Sequence, residues 1–269
     1  MSVVRLDQLL VERGLFASRE KAHRAVMAGQ VEVNGVRVDK PGSPMRDDVR
    51  LELSGTADPF VSRAGGKLAA ALDHFAVDPA GWRCLDIGAS TGGFSDCLLQ
   101  RGAAHITAVD VGYGLLDLKV RNDPRVEVRE RENARYLAAD AFDRPFDLVV
   151  VDVSFISLTK VVPALVPHLV AGGLLLPLIK PQFEVGRGGV GKGGLVRDET
   201  LRRTTIDLRA GELAALGFEL LGTYDSPVAG AEGNREAFAL LRRRSPAGPP
   251  AESGTAPSPR TAIHDREPQ

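Results

Sequence analysis

The stretch Leu85–Phe94, LDIGASTGGF, decides the fold, because it has the pattern of a strand that runs into a glycine-rich turn and then into a helix. Glycines let a turn approach a ligand closely, and open parallel sheets bind nucleotides at this end of a strand. The spacing Gly-x-x-x-Gly-Gly differs from the dinucleotide-binding pattern Gly-x-Gly-x-x-Gly. Asp110, at the end of the next predicted strand, is placed to accept hydrogen bonds from ribose hydroxyls. Asp86 lies two residues before the first glycine of the turn. Ordinary turn chemistry could explain Asp86 or Asp110 alone, but the glycine-rich turn and Asp110 together predict a nucleoside cofactor.

Outward from this loop, apolar runs alternate with helical patterns, which predicts an α/β domain with a parallel sheet and helices on both faces. The predicted strands are Trp82–Ile87, Ile106–Val111, Arg125–Arg129, Phe146–Val153 and Leu174–Ile179. A helix from about Asp198 to Leu216 follows, and two more strands lie near Phe218–Asp225 and Glu236–Arg243.

Composition divides the chain into four parts. Residues 1–54 form a small domain of short helices and a hairpin, residues 55–62 a linker, and residues 63–244 the α/β domain. Residues 245–269 hold six prolines and Ile263 as their one large aliphatic residue. Such a segment buries too little surface to offset its ordering entropy, so we expect a disordered tail.

Overall charge excludes a uniformly cationic coat for nucleic acid, because the 269 residues carry 34 Lys and Arg against 35 Asp and Glu. A local basic patch remains compatible with these totals. No apolar run reaches the roughly 18 residues that span a bilayer, and the five histidines lack metal-ligand spacing. We therefore expect a cytoplasmic protein without a metal or a membrane segment, and a monomer.

The N-terminal part carries a basic helix pair, followed by a hairpin turn at Asn34-Gly35. The candidate phosphate-binding residues are Arg5, Arg13, Arg19, Lys21 and Arg24. A charge run of this kind can also be a solvated helix face, and charge alone leaves both interpretations open. The segments Arg5-Leu6-Asp7, Arg13-Gly14, Ser18-Arg19, Val33-Asn34-Gly35 and Lys40-Pro41 resemble the S-four-type RNA-binding domain. The resemblance implies a small α+β domain that binds structured RNA, without naming the RNA.

Four charged residues mark strand ends or the entry to the α/β domain: Lys67, Asp152, Lys180 and Glu236. Parallel strands present their carboxyl ends to one crevice, where an antiparallel last strand would present its first residue. A lysine there can act as a base on a ribose hydroxyl or stabilise the forming alkoxide. We expect Lys180 in this role, Asp152 and Glu236 orienting it, and Lys67 positioning ribose or phosphate. Each charge alone could be an ordinary surface group.

The order Lys67, Asp152, Lys180, Glu236 resembles the Lys-Asp-Lys-Glu tetrad of the FtsJ-like ribose 2′-O-methyltransferases. With SRAGGKL, DIGASTGGF, VDVSFISL, IKPQFE and GNREAF, the chain to about Arg244 resembles the TlyA (hemolysin-like) ribosomal RNA methyltransferase family. The resemblance implies a Rossmann-like class I fold, with a mostly parallel seven-stranded sheet and an antiparallel last strand. It also implies S-adenosylmethionine as cofactor and a cytidine 2′-hydroxyl of 16S and/or 23S ribosomal RNA, in ribosomal subunits, as substrate. The implied cofactor-binding residues are Asp86, Gly88, Ala89, Ser90, Thr91, Gly92, Asp110 and Asn133.

Several alternatives remain open at this point. Asn133 fits either the adenine site or a helix N-cap. Residues 186–193, GRGGVGKG, begin like a phosphate-binding P-loop but have Gly193 in place of Ser or Thr. We expect a mobile loop there that touches RNA through Arg187 and Lys192, with Arg63 as a further RNA contact. A non-catalytic RNA- or ribosome-binding protein, a methyltransferase for another RNA, and a hemolysin are the competing functions.

Overall fold

A computed structural model describes residues 3–27, 29–53, 59–186, 188–191, 193–230 and 233–245. Most of the predicted linker, the predicted tail from residue 246 onward, and the candidate RNA contacts Arg187 and Lys192 lie outside the described residues. The domain bounds 1–54, 55–62, 63–244 and 245–269 therefore stay predictions.

The N-terminal domain packs two helices against short strands. The helices are α1 (Leu6–Glu12) and α2 (Arg19–Met27), and the strands are β1 (Val3–Arg5), β2 (Val31–Val33), β3 (Val36–Arg37), β4 (Pro44–Arg46) and β5 (Leu51–Leu53). Asn34 and Gly35 both have positive φ, 52° and 77°, as a tight hairpin turn requires. The backbone N–H of Lys21 donates to Ser18 Oγ at 3.2 Å, so Ser18 caps α2, a position for which serine is a preferred residue.

The α/β domain contains, within the described part of the chain, a seven-stranded sheet in the order β11-β12-β10-β9-β6-β7-β8. Its strands are β6 (Arg83–Ile87), β7 (His105–Asp110), β8 (Val126–Glu130), β9 (Phe146–Val151), β10 (Leu169–Ile179), β11 (Phe218–Asp225) and β12 (Ala237–Arg243). Strands β6 to β10 pair in parallel, and β12 runs antiparallel between β10 and β11. The predicted mostly parallel sheet with an antiparallel last strand is confirmed.

Helices cover both faces of this sheet. They are α3 (Arg63–His74), α4 (Gly93–Gln100), α5 (Leu118–Arg121), α6 (Val162–Leu165), α7 (Pro181–Glu184) and α8 (Glu199–Ala214). Along β9, Leu148 and Val150 join the core cluster under α3 and α4, whereas Val149 and Val151 join the cluster under α8. All four side chains are fully buried, as expected for a central parallel strand. No helix in the described residues is long and apolar enough to cross a bilayer.

Two elements differ from the sequence prediction. Strand β10 begins at Leu169, five residues earlier than predicted, and its pairing with β9 shifts register between Leu169 and Leu174. Gly172 and Gly173 occupy this irregular stretch, and their low strand propensity hides its strand character. Helix α3 has Gly65 and Gly66 near its start, and glycine is a poor helix former. Burial of Leu68 and Leu72 stabilises α3 instead.

Candidate active site

The glycine-rich turn brings β6 against the loop that follows β9. Gly88 has a φ of +82°, and a Cβ on it would lie 2.4 Å from the carbonyl oxygen of Asp152. The N–H of Asp152 donates to the carbonyl of Ile87 at 2.8 Å. Gly88 therefore allows the predicted cofactor loop and the predicted catalytic aspartate to share one backbone contact.

Asp110 organises the other side of the loop. Its Oδ2 accepts a hydrogen bond from the N–H of Ser90 at 2.8 Å, and its Oδ1 accepts one from the N–H of Gly112 at 2.7 Å. Each carboxylate oxygen can accept a second hydrogen bond. Asp110 is thus fixed at the end of β7 with capacity left for a ligand hydroxyl.

Two cavities meet at the carboxyl end of the sheet. One, of about 410 Å³, is lined by Val109, Asp110, Glu132, Asn133 and Ile156 among others. The second, the catalytic cavity, has a volume of about 390 Å³ and is lined by the four predicted catalytic side chains. Among the described residues, both cavities are lined by Gly88, Ser90, Asp152, Ser154 and Phe155. The site can therefore hold two ligands in contact with each other at Gly88 and Asp152.

The remaining predicted cofactor residues lie at different depths. Ala89, Ser90 and Thr91 line the catalytic cavity. Gly92 is the left-handed N-cap of α4, where a Cβ would lie 2.8 Å from Leu116. Asn133 caps the short 3₁₀ helix Ala134–Tyr136 by accepting from the N–H of Arg135 at 3.1 Å. Its place in the wall of the 410 Å³ cavity lets it serve as cap and as ligand contact at once.

Asp86 lies beneath the loop and lines neither of these cavities. It is fully buried in β6, and Ser95 Oγ donates a hydrogen bond to its Oδ2 at 2.7 Å. Its Oδ1 has no hydrogen-bond partner among the described residues. Burial raises the pKa of the Asp86 carboxyl from its ordinary 3.8 to about 7. Asp86 therefore connects β6 to the first turn of α4 through the hydrogen bond from Ser95.

The four predicted catalytic residues form two lysine–carboxylate pairs. Lys180 Nζ lies 2.5 Å from Asp152 Oδ1 and donates to Ser154 Oγ at 2.9 Å. Lys67 Nζ donates to Glu236 Oε2 at 2.6 Å, and both side chains are nearly inaccessible to solvent. The structure thus pairs Asp152 with Lys180, whereas the contact of Glu236 is with Lys67. Lys67 can reach Glu236 because α3 and β12 contribute side chains to the same core cluster.

Sequence reasoning missed an aromatic pair beside Lys180. Phe155 is 90% exposed, has a positive φ of 64°, and its ring centroid lies 5.0 Å from that of Phe183. Both phenylalanines line the catalytic cavity. They belong to the motifs VDVSFISL and IKPQFE, so their sequence signal was an aromatic side chain three residues after each predicted catalytic residue, Asp152 and Lys180. The cavity thus offers an apolar wall to a planar group.

Two of the predicted RNA-binding arginines of the N-terminal domain, Arg5 and Arg19, contact Asp7. Arg5 Nη2 lies 2.9 Å and Arg19 Nε 3.1 Å from Asp7 Oδ2, and the two arginines remain about half exposed. These contacts, led by the Arg5 hydrogen bond, lower the pKa of the Asp7 carboxyl to about 2. Arg13 donates to the carbonyl of Asp47, and Lys21 is exposed. The buried carboxylate therefore holds Arg5 and Arg19 in place at the surface.

A groove of about 890 Å³ joins this basic surface to the cofactor loop. Its walls include Arg5, Arg19 and Arg24 on one side and Leu118 and Arg121 on the other, and it reaches Ser90 and Thr91.

Arg63, predicted as an RNA contact, bridges the two domains. Its Nη2 donates to Asp39 Oδ2 at 2.7 Å, and it also lines the catalytic cavity. Arg13 and Lys21 are not among the residues that line the groove described above.

Comparison with known proteins identifies both domains. Residues 60–243 match the FtsJ-like methyltransferase family, and residues 4–49 match the S4 domain. The chain is 47% identical over 242 residues to the 16S/23S rRNA (cytidine-2'-O)-methyltransferase TlyA of Mycobacterium tuberculosis, with 90% of each chain covered. It is 41% identical over 237 residues to Hemolysin A of Brachyspira hyodysenteriae, with 88% of this chain and 98% of that one covered. A solved structure of a hemolysin-named protein from Streptococcus thermophilus, 42% identical, matches with a TM-score of 0.71 over 91% of this chain and 90% of that one. This chain therefore belongs to the FtsJ-like methyltransferases, in the family that includes TlyA.

Proposed function

We propose that this protein transfers a methyl group from S-adenosylmethionine to a ribose 2′-hydroxyl, at a cytidine of ribosomal RNA within a ribosomal subunit. The observation that carries the proposal is the Lys180–Asp152 pair, which lies where the two cavities meet. The relative from M. tuberculosis is named for this reaction on 16S and 23S rRNA, which supports rRNA as substrate. A ribosomal substrate implies that the protein acts in the cytoplasm.

The 410 Å³ cavity fits the cofactor. Val109, Ala134 and Ile156 supply apolar surface for a purine, and Asp110 supplies a carboxylate for ribose hydroxyls. Gly88, Ala89, Ser90 and Thr91 would hold the methionine part, because they line the adjoining 390 Å³ cavity and Gly88 and Ser90 line both cavities. When bound, the sulfonium cofactor supplies an activated methyl group.

The chain's own residues align the acceptor and manage its proton. Lys180 Nζ, held by Asp152 and Ser154, can bind the 2′-oxygen and stabilise negative charge that develops on it. The carboxylate of Asp152, which forms an ion pair with Lys180 Nζ, then receives the hydroxyl proton. The Lys67–Glu236 pair forms the opposite wall and positions the ribose or its phosphate.

The basic groove explains how a large RNA reaches this site. Arg5, Arg19 and Arg24 can bind phosphates, and the groove that they line leads to Ser90 and Thr91 beside the catalytic cavity. Phosphate contacts position an RNA without selecting a sequence. The N-terminal domain therefore supplies affinity, and the cavity selects the nucleotide.

The test is incubation of the full chain with methyl-labelled S-adenosylmethionine and separately purified small and large ribosomal subunits, followed by mapping of the modified ribose. We expect a 2′-O-methylcytidine in at least one subunit with the wild type and none with Lys180→Ala. RNA label with both proteins would refute the role of Lys180, whereas label with neither protein would favour a non-catalytic ribosome-binding protein or another substrate. Label on a base or on another RNA would correct the substrate alone.

A further inference from the structure

The catalytic pair is built from two short segments that follow neighbouring strands. Asp152 begins the segment 152–158 after β9, and Lys180 begins the segment 180–184 after β10. Helix α7, which follows Lys180, has four residues, and a helix that short is not stable by itself. The other segment contains Phe155 in the left-handed region, a conformation that a non-glycine residue adopts only when its surroundings impose it. A specific contact must therefore fix the two segments to each other.

Glu184 makes that connection. Its side chain, 2% exposed, accepts a hydrogen bond from Ser157 Oγ at 2.7 Å and one from the N–H of Leu158 at 2.8 Å. Arg209 Nε, on α8, lies 2.8 Å from Glu184 Oε2, and Arg209 Nη2 donates to the carbonyl of Glu184 at 3.3 Å. Both carboxylate oxygens therefore have partners. Glu184 holds the segment 152–158, and Arg209 holds the segment 180–184 at Glu184.

We propose that Glu184 is a positioning residue for methyl transfer, which holds the segment 152–158 on α7 so that Asp152 and Ser154 meet Lys180. This inference rests on the proposed function for its consequence on catalysis. The two segments touch at three successive levels: Lys180 with Asp152 and Ser154, Phe183 with Phe155, and Glu184 with Ser157 and Leu158. Glu184 is the innermost and least accessible of these contacts, and it lies one helical turn after Lys180.

A carboxylate suits this position better than an apolar side chain. Burial raises the pKa of the Glu184 carboxyl, whereas the hydrogen bonds from Leu158 and Ser157 and the charge of Arg209 oppose that rise. Because an apolar residue would leave the N–H of Leu158 buried without its acceptor, the segment would move to satisfy it. That movement would begin six residues from Asp152 and reach the Lys180 contact.

The test compares Glu184→Ala, Glu184→Gln and the wild type as full-length proteins. A matched control is Asp147→Asn, because Asp147 Oδ2 also accepts a backbone hydrogen bond, from Arg83, at the amino-terminal ends of β9 and β6. Three quantities are measured: amide hydrogen exchange of residues 153–158, affinity for S-adenosylmethionine, and the pH profile of single-turnover methyl transfer to ribosomal subunits.

For Glu184→Ala we expect faster exchange in residues 153–158 and a transfer rate lower by about tenfold or more, because misplaced catalytic groups lose effective alignment. We also expect a shifted pH profile, since Asp152 would no longer be held on Lys180. Cofactor affinity should stay near that of the wild type. Glu184→Gln keeps an acceptor for Leu158 and should restore most of the rate, and Asp147→Asn should change neither exchange in this segment nor the pH profile.

Unchanged exchange in Glu184→Ala would overturn the positioning role whatever the activity, as would a rate loss without any shift in the pH profile. Absence of methyl transfer by the wild type would instead refute the proposed function, and the exchange measurement would still decide whether Glu184 fixes the segment. If Glu184→Ala does not fold, Ser157→Ala takes its place, because it removes the hydrogen bond from Ser157 Oγ to Glu184 and leaves the carboxylate in position. Faster exchange in residues 153–158 together with a shifted pH profile supports the role, and behaviour like that of Asp147→Asn refutes it.

Discussion

Substitution of Gly88 by alanine should separate the alignment of the site from the stability of the fold. Two effects add at this position. A residue with a Cβ costs roughly 1–2 kcal/mol in the left-handed region, and Gly88 has a φ of +82°. In addition, the new Cβ would lie 2.4 Å from the carbonyl oxygen of Asp152, where ordinary contact begins near 3.4 Å. The Asp152 backbone must therefore retreat by about 1 Å, and a misplacement of that size can reduce a rate by roughly 100-fold.

Gly81→Ala is the matched control, because Gly81 has a φ of +76° and a Cβ on it would meet no atom of the described residues within 4 Å. Gly81→Ala should lose about 1 kcal/mol of stability in urea unfolding, from the left-handed backbone alone. Gly88→Ala should lose more, because the contact with the carbonyl oxygen of Asp152 adds to that cost. Gly88→Ala alone should lose methyl transfer in a single-turnover assay with saturating cofactor and ribosomal subunits. A Gly88→Ala rate within about twofold of the Gly81→Ala rate would refute the reasoning, since the contact with Asp152 would then have no effect on alignment.

Three further predictions concern the catalytic lysine, the basic groove and the buried acid. Lys180→Ala should reduce methyl transfer by about 100-fold or more while calorimetry finds cofactor affinity nearly unchanged; parallel loss of both would place Lys180 in cofactor binding. Arg24→Ala should weaken binding to ribosomal subunits and reduce the slope of log affinity against log salt by about one. Arg144→Ala, just before the start of β9, should change neither quantity. Equal slopes for the two variants would contradict a phosphate contact of Arg24. Asp86 has its pKa raised from 3.8 to about 7 in the folded state, so the wild type should lose stability as the pH rises between these values. Denaturation of Asp86→Asn at several pH values should show a smaller loss over that range, and identical pH dependence would contradict a buried ionising carboxyl.

Local sequence patterns were sufficient for the parts of the fold that depend on neighbouring residues. The loop at Gly88, the turn at Asn34 and the cap at Ser18 follow from backbone preferences within a few residues. The meeting of Asp152 with Lys180 also follows from sequence, because parallel strands end at one edge of a sheet.

Contacts between distant elements could not be read from the sequence. The partner of Glu236 depends on how α3 packs over β12, and Lys67 lies 169 residues away along the chain. The depth of Asp86 depends on coverage of β6 from both faces. Helix α3 itself was hidden by Gly65 and Gly66, since its stability comes from burial of Leu68 and Leu72 rather than from propensity. The roles assigned to the individual site residues stay predictions.

The insertion of β12 between β10 and β11 has a consequence for the order in which activity can arise during synthesis. A ribosome completes β6, β7, β8, β9 and β10 well before it adds residues 237–243, and β11 has no partner in the described sheet until those residues arrive. The Lys67–Glu236 contact closes at that moment, because Glu236 immediately precedes β12. A nascent or truncated chain can thus form the glycine-rich turn and the Lys180–Asp152 pair while it still lacks the Lys67–Glu236 pair. If both pairs act as we propose, methyl transfer begins only when the last strand is in place.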